Sequence, residues 1–169
     1  MALFSKDISS FEDLFEDQIM DLYDAENRIT EALPKMANAA TSSELKQAFT
    51  SHLRETEMQV QRLEQIFRQL GKEPKRQTCQ AMKGLIAEGE EYVKANADGD
   101  VRDAGLIAAA QRVEHYEMAG YGAARAFAER LGHMEAARLL DQTLQEEGNA
   151  DKKLTAIAEQ SVNAHASKR

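Results

Sequence analysis

Apolar side chains return every three or four residues along four long stretches of this chain, and that period constrains its fold more than any other feature. The first stretch carries Phe11, Phe15, Ile19, Leu22, Ile29, Leu33, Met36 and Ala40. The second carries Leu45, Phe49, Leu53, Val60, Leu63, Phe67 and Leu70. A third and shorter one, about Cys79 to Lys94, carries Met82, Leu85, Ile86 and Val93. Leu106, Ile107, Ala110, Val113, Met118, Tyr121, Ala124 and Ala128 mark the fourth, and Leu139, Leu140, Leu144, Leu154 and Ile157 the fifth. With two prolines and nine glycines in 169 residues, little interrupts these segments. They are predicted to be helices.

Punctuation sets their limits. Ser10 with Asp13, or Ser9 with Glu12, forms a capping box that starts the first helix. Pro34 is predicted to kink it by removing a bond to Thr30. Thr41, Ser42 and Ser43 end the first helix and cap the second, and Gly71 closes the second. Asn96 to Asp100 reads as a turn, so the fourth helix is predicted from near Asp103 to a break at Gly132. The fifth is predicted from about Met134 to Ser161. Tight turns join the first pair and the last pair, which makes each an antiparallel hairpin. The long middle connection holds its own helix. The expected fold is therefore all-α, a ferritin-like four-helix bundle of two antiparallel hairpins with a short extra helix in the crossover. One domain is expected over residues 1–162, with a frayed tail over 163–169. A shift of 91 positions superposes Glu26 on Glu117, Leu53 on Leu144, Glu55 on Glu146 and Leu63 on Leu154, the pattern of a duplicated hairpin.

Several function classes fall away on composition. A formal net charge of −8 argues against a nucleic-acid partner, whose phosphates demand a basic surface. The single cysteine, Cys79, excludes an intrachain disulfide framework or a cysteine-rich zinc site, and reads as a small hydrophobe at a helix start. No apolar run approaches the roughly 20 residues that span a bilayer. Met1 to Ser10 shows no basic segment followed by an apolar run, so no export signal is read there and the cytoplasm is the expected compartment. Outward apolar residues such as Tyr92, Tyr116 and Phe127 suggest a homodimer.

The chemistry lies in acids on the wrong face. Asp13, Glu16, Asp17 and Asp24 fall off the stripe of the first helix and read as solvated, but Glu26 falls in its middle. His52 is central in the second helix, with Gln59 near the same line and Glu55 toward the flank. Glu114 and Glu117 straddle the centre of the fourth stripe. In the fifth Glu147 is near the centre, flanked by Glu146 and Asp151. One buried acid is most simply a protonated or hydrogen-bonded core residue. Carboxylates on all four core faces, converging at mid-height, need cations. Two divalent metal ions would neutralise four of them, and oxygen ligands with one imidazole suit iron or manganese better than zinc. Glu26, Glu55, Glu114, Glu117 and Glu147 are the candidate carboxylate ligands, His52 the nitrogen ligand, and Glu146 or Asp151 completes the set.

The segments Asp21-Leu-Tyr-Asp-Ala-Glu26, His52-Leu-Arg-Glu-Thr56, Val113-Glu-His-Tyr-Glu117 and Leu144-Gln-Glu-Glu147 resemble the bacterial YciE/YciF family of ferritin-like proteins over nearly the whole chain. The resemblance implies a rubrerythrin-like bundle, often dimeric, linked to stress responses and without a settled activity. The chain departs from the usual Glu-x-x-His order of ferritin-like proteins, because Met58 follows Glu55 and Ala150 follows Glu147. Other residues read more plainly. His115 and His133 belong at the surface or a helix end, His165 in the tail, and Tyr23 and Tyr121 in the core with their hydroxyls bonded. The expected function is oxygen, peroxide or metal handling at a carboxylate-bridged di-metal centre. The alternative is a structural or interaction bundle in which metal is stabilising or absent. A mini-ferritin shell fits less well, since an acidic chain with a short tail offers no DNA arm.

Overall fold

Ser10 begins the first helix as its sequence requires. Its hydroxyl accepts from the Asp13 amide at 3.0 Å, while the Asp13 carboxylate accepts from the Ser10 amide at 2.9 Å. The computed structural model describes residues 8–169, so most of the segment read for an export signal lies outside the described residues. Helix α1 spans Phe11–Ala39 and runs through Pro34 without ending there. Helix α2 spans Ser43–Gln69, α3 Gln80–Lys94 and α4 Gly99–Leu131. Helix α5 spans Met134–Ile157, passes into a π-helical turn at Ala158–Val162, and ends in a short α6 at Asn163–Ala166. No strand occurs among the described residues, and none of their helices is long and apolar enough to cross a membrane.

Contacts give the directions. Tyr23 on α1 meets Glu64 and Phe67 on α2, and Gln111 on α4 meets Asp151 and Thr155 on α5. Each pair joined by a short turn is an antiparallel hairpin. Between hairpins, Phe11 packs on Phe127 and Tyr116 donates to Asp21, so α1 and α4 also run in opposite directions. Helix α5 packs on α2 as well as on α4, so each of the four long helices touches two others. Helix α3 lies along α1 and α4. Because α2 and α4 point the same way, the connection must travel the length of the molecule, and α3 carries it.

Glycine closes two helices. Gly71 and Gly132 have φ of 69° and 83°, a left-handed conformation open to a residue without a Cβ. Helix α4 starts at Gly99, earlier than the predicted Asp103, because the Asp98 side chain caps the Asp100 amide. Asp103 is buried instead. It accepts from the Thr41 amide at 2.9 Å, the Thr41 hydroxyl at 2.8 Å and the Ser42 amide at 2.7 Å, which ties the α1–α2 turn to α4. Asp103→Ala strands these donors at a cost of about 2 kcal/mol. Its melting temperature is expected to fall by roughly 4–8 °C in a thermal scan.

Two acids expected in solvent are not there. Asp24 is 2 % exposed and Asp17 is 6 % exposed. Asp24 accepts from Arg28 at 2.6 Å, Arg76 at 2.9 Å and the Cys79 amide at 2.8 Å, and Asp17 accepts from Gln77 at 2.8 Å. The α2–α3 connection covers the outer face of α1, a neighbour that the helix period of α1 alone does not reveal. Cys79 lies at the start of α3 as expected, and its sulfur caps the Met82 amide. The C-terminal residues carry α6, and Arg169 approaches Asp98 and Asp100.

The core has two apolar halves. One gathers Phe15, Ile19, Leu22, Leu63, Ile66 and Phe67 with Ala124, Ala128 and Leu140. The other gathers Ile29, Leu33, Leu45, Phe49, Leu106, Ile107, Leu154 and Ile157. Along each long helix the residues between the halves are polar and buried: Glu26, then His52, Thr56 and Gln59, then Glu114 and Glu117, then Thr143 and Glu147.

Candidate metal centre

Glu26 sits between apolar neighbours on α1, so the same turn of helix that buries Leu22 and Ile29 buries its carboxylate. His52 on α2, Glu114 and Glu117 on α4 and Glu147 on α5 face it by the same logic. His52, Glu114, Glu117 and Glu147 each offer one ligand atom, and these four atoms lie within 4.8 Å of one another. His52 Nε2 stands 3.3 Å from Glu114 Oε1 and 3.7 Å from Glu147 Oε2. Glu26 Oε1 accepts a hydrogen bond from the buried Tyr121 hydroxyl.

Most of the polar atoms in this layer have no hydrogen-bond partner. Glu26 Oε2, Glu114 Oε2, both oxygens of Glu117, both oxygens of Glu147 and both nitrogens of His52 are buried without one. Such atoms are rare in folded proteins, and a buried set of carboxylate oxygens and imidazole nitrogens could hold a metal ion. The electrostatics agree. Burial, with Glu147 close by, pushes the Glu26 carboxyl up to about 8 against the pull of the Tyr121 hydroxyl. Burial, reinforced by Glu26, Asp151 and Glu55, also pushes Glu114 up to about 8. Glu117 and Glu147 are raised well above the carboxylate range, again chiefly by burial. Burial pulls His52 down, but Glu55, Glu147 and Glu26 outweigh it and leave the imidazole above its ordinary value.

The remaining candidates stand around this layer. The Glu55 side chain is 41 % exposed and puts Oε2 3.5 Å from His52 Nδ1. Glu146 is held by Arg62 at 2.8 Å and by Gln59 at 3.2 Å. Asp151 accepts from Gln111 at 2.9 Å and lies 3.3 Å from His115. His115 is exposed, and His133 stands at the start of α5 against Glu12, as read from the sequence. Tyr23 donates to Glu64 and packs edge-on against Phe67. Thr56 escaped sequence reasoning. It is buried in the same layer and bonds back to the His52 carbonyl at 2.9 Å, and only its place one turn beyond His52 signals it.

A family model described as a domain of unknown function (DUF892) matches residues 10–167. The chain belongs to that family. It is 45 % identical over 160 residues to protein YciF of Escherichia coli (strain K12), covering 94 % of this chain and 96 % of that one. The crystal structure of the E. coli stress protein YciF matches with a TM-score of 0.89 over 92 % of this chain and 99 % of the other. YcfI from Rhodopseudomonas palustris matches with a TM-score of 0.88 at 47 % identity, over 92 % of this chain and 99 % of its own. A protein from Xanthomonas campestris pv. campestris, 21 % identical with a TM-score of 0.74, shares the fold. The DUF892 fold thus brings the resemblance read in the sequence and the buried polar layer together on one chain.

Proposed function

We propose that this DUF892 chain is a ferritin-like four-helix bundle whose polar layer holds a carboxylate-bridged pair of iron or manganese ions. Its role is the handling of oxygen, peroxide or metal ions under stress. The observation that carries this reading is the set of buried carboxylate oxygens and imidazole nitrogens without partners, gathered from α1, α2, α4 and α5. Glu26, Glu114, Glu117 and Glu147 supply four negative charges, which two divalent ions balance, and His52 supplies the nitrogen. The donors are hard oxygens with one imidazole and no thiolate, a set suited to iron or manganese. When bound, such a pair supplies redox chemistry and a Lewis acid.

The chain's own residues prepare the site. Tyr121 fixes the orientation of Glu26 through its hydroxyl. Glu55 stands beside His52 Nδ1, where it turns Nε2 toward the acids. The apolar halves above and below bury the layer, which strengthens every charge interaction between them. Arg62 and Gln111 engage Glu146 and Asp151, so these two acids lie outside the proposed ligand set. The stress-protein character of E. coli YciF supports the same role. Association as a homodimer in the bacterial cytoplasm belongs to this reading, with Tyr92 as the most exposed of its apolar candidates.

Elemental analysis is the direct test. Wild-type protein is expected to carry about two iron or manganese ions per chain. Glu26→Gln and Glu117→Gln, prepared separately, are expected to lose most of that metal while keeping their helical circular dichroism. Unchanged stoichiometry in both variants would refute the ligand set. Wild-type protein that takes up neither ion would be a metal-free structural bundle, with the acids of the layer protonated and bonded to one another.

A further inference from the structure

Two openings reach the acidic layer, and their linings differ in kind. On the α2–α5 side the opening is polar: Ser51, Glu55, Asn149 and Lys153 lead to His52 and Glu114. On the α1–α3–α4 side Ile29, Leu33, Leu85, Ile86, Ala110 and Val113 lead to the same His52 and Glu114. The charged groups at this second opening are Lys35 and Glu90, and they are paired to each other at 3.0 Å. Lys94 also holds the Glu90 carboxylate, at 2.9 Å. The rim therefore presents no free anion to a cation, and the walls offer no hydrogen bond to a polar molecule.

We propose that the apolar pocket under α3 is the binding site and route of approach for a small uncharged apolar molecule of diatomic size, of the dioxygen class. The volume inside it open to the centre of a water-sized molecule is ≈ 30 Å³, where a single water needs roughly 10–15 Å³, so there is room for a diatomic. An ion passing between these walls would lose its hydration without compensation, whereas a neutral apolar molecule gains contacts. Anions are excluded twice, by the apolar walls and by the carboxylates at the inner end. Cations have the polar opening beside Glu55. The division also gives α3 a task. Met82 and Gly89 are its two buried residues, and most of its apolar face, Leu85, Ile86 and Val93, is only half-buried over the pocket. The pocket exists on geometry alone, but its use rests on the metal centre proposed above.

Xenon is the first probe, because it seats in apolar cavities and is indifferent to metal. Crystals of the metal-free protein under xenon pressure should show an atom between Ile86 and Val113, next to Glu114. Ile86→Trp and Val93→Phe, which fill the pocket from α3, should each abolish that site. Nitric oxide is the second probe, a neutral diatomic whose capture by ferrous protein is read by its absorption in anaerobic stopped flow. Both variants should slow capture at least tenfold at unchanged iron content, and Lys153→Gln, at the polar opening, should leave it unchanged. Xenon seated elsewhere, or wild-type capture rates in variants that have lost the xenon site, would overturn the inference. If the wild-type protein binds no iron, nitric oxide has no ferrous site to report on, and if it takes up neither iron nor manganese the proposed function falls. The xenon site then decides this inference alone, upholding it next to Glu114 and overturning it anywhere else.

Discussion

Manganese or ferrous iron added to the metal-free protein is expected to raise its melting temperature by roughly 8–16 °C. The figure follows from linkage. A ligand that binds the native state alone, at a thousand times its dissociation constant, stabilises by about 4 kcal/mol. For a domain of this size each kcal/mol moves the midpoint by roughly 2–4 °C. Glu117→Gln should gain little from either ion, because it removes a charged ligand from the centre of the layer. Without metal the same variant should be at least as stable as wild type at pH 8, since it no longer buries an ionisable group whose charged form burial disfavours. A scan of both proteins with and without ions checks all four cases. Equal shifts in wild type and variant would place the ions elsewhere.

The metal-free protein should lose stability as pH rises, the reverse of ordinary behaviour for a chain rich in acids. Glu26 and Glu114 move from 4.5 in the open chain up to about 8 in the fold. Between those values the native state holds protons that the unfolded chain has released, so the free energy of unfolding falls with pH. The raised His52 acts in the same direction. Their contribution is complete below about pH 4.5 and lost by about pH 8. Because the carboxyls share one layer the losses are not additive; the expected fall in melting temperature is roughly 10 °C, or several kcal/mol. Metal should invert the trend, since ligands must shed their protons to bind. At the acid end Asp24 acts oppositely. Burial favours its neutral form, but Arg28, the Cys79 amide and Arg76 outweigh this and hold it below its ordinary value. The stability it provides disappears as it protonates. Melting curves from pH 4 to 9, with and without manganese, test the inversion. A metal-free midpoint that rises steadily across that range would contradict the buried acid layer.

Periodicity reveals what a helix does to its own residues, and here that was most of the layer. Glu26, His52, Glu114, Glu117 and Glu147 were readable because each interrupts an apolar stripe, a local property of one helix. The Ser10–Asp13 capping box and the glycine stop at Gly132 were readable for the same reason. What depended on a second element was not. Asp24 looks solvated on the α1 wheel and is buried by the α2–α3 connection, which places Arg76 and the Cys79 amide on it. Asp103 resembles a helix start and instead holds the Thr41–Ser42 turn. Glu146 and Glu147 are one step apart on α5, but Arg62 on α2 takes the first and leaves the second in the layer. Spacing within α5 puts Glu147 nearer the centre of the stripe and Glu146 on its flank, but it does not reveal the arginine on α2 that holds Glu146.

Neither hairpin contains the whole polar layer. Helices α1 and α2 bring Glu26 and His52, while α4 and α5 bring Glu114, Glu117 and Glu147. The layer therefore comes into being only when the two hairpins dock. An ion held there would draw ligands from both hairpins, so parting the hairpins would cost it either Glu26 and His52 or Glu114, Glu117 and Glu147 at once.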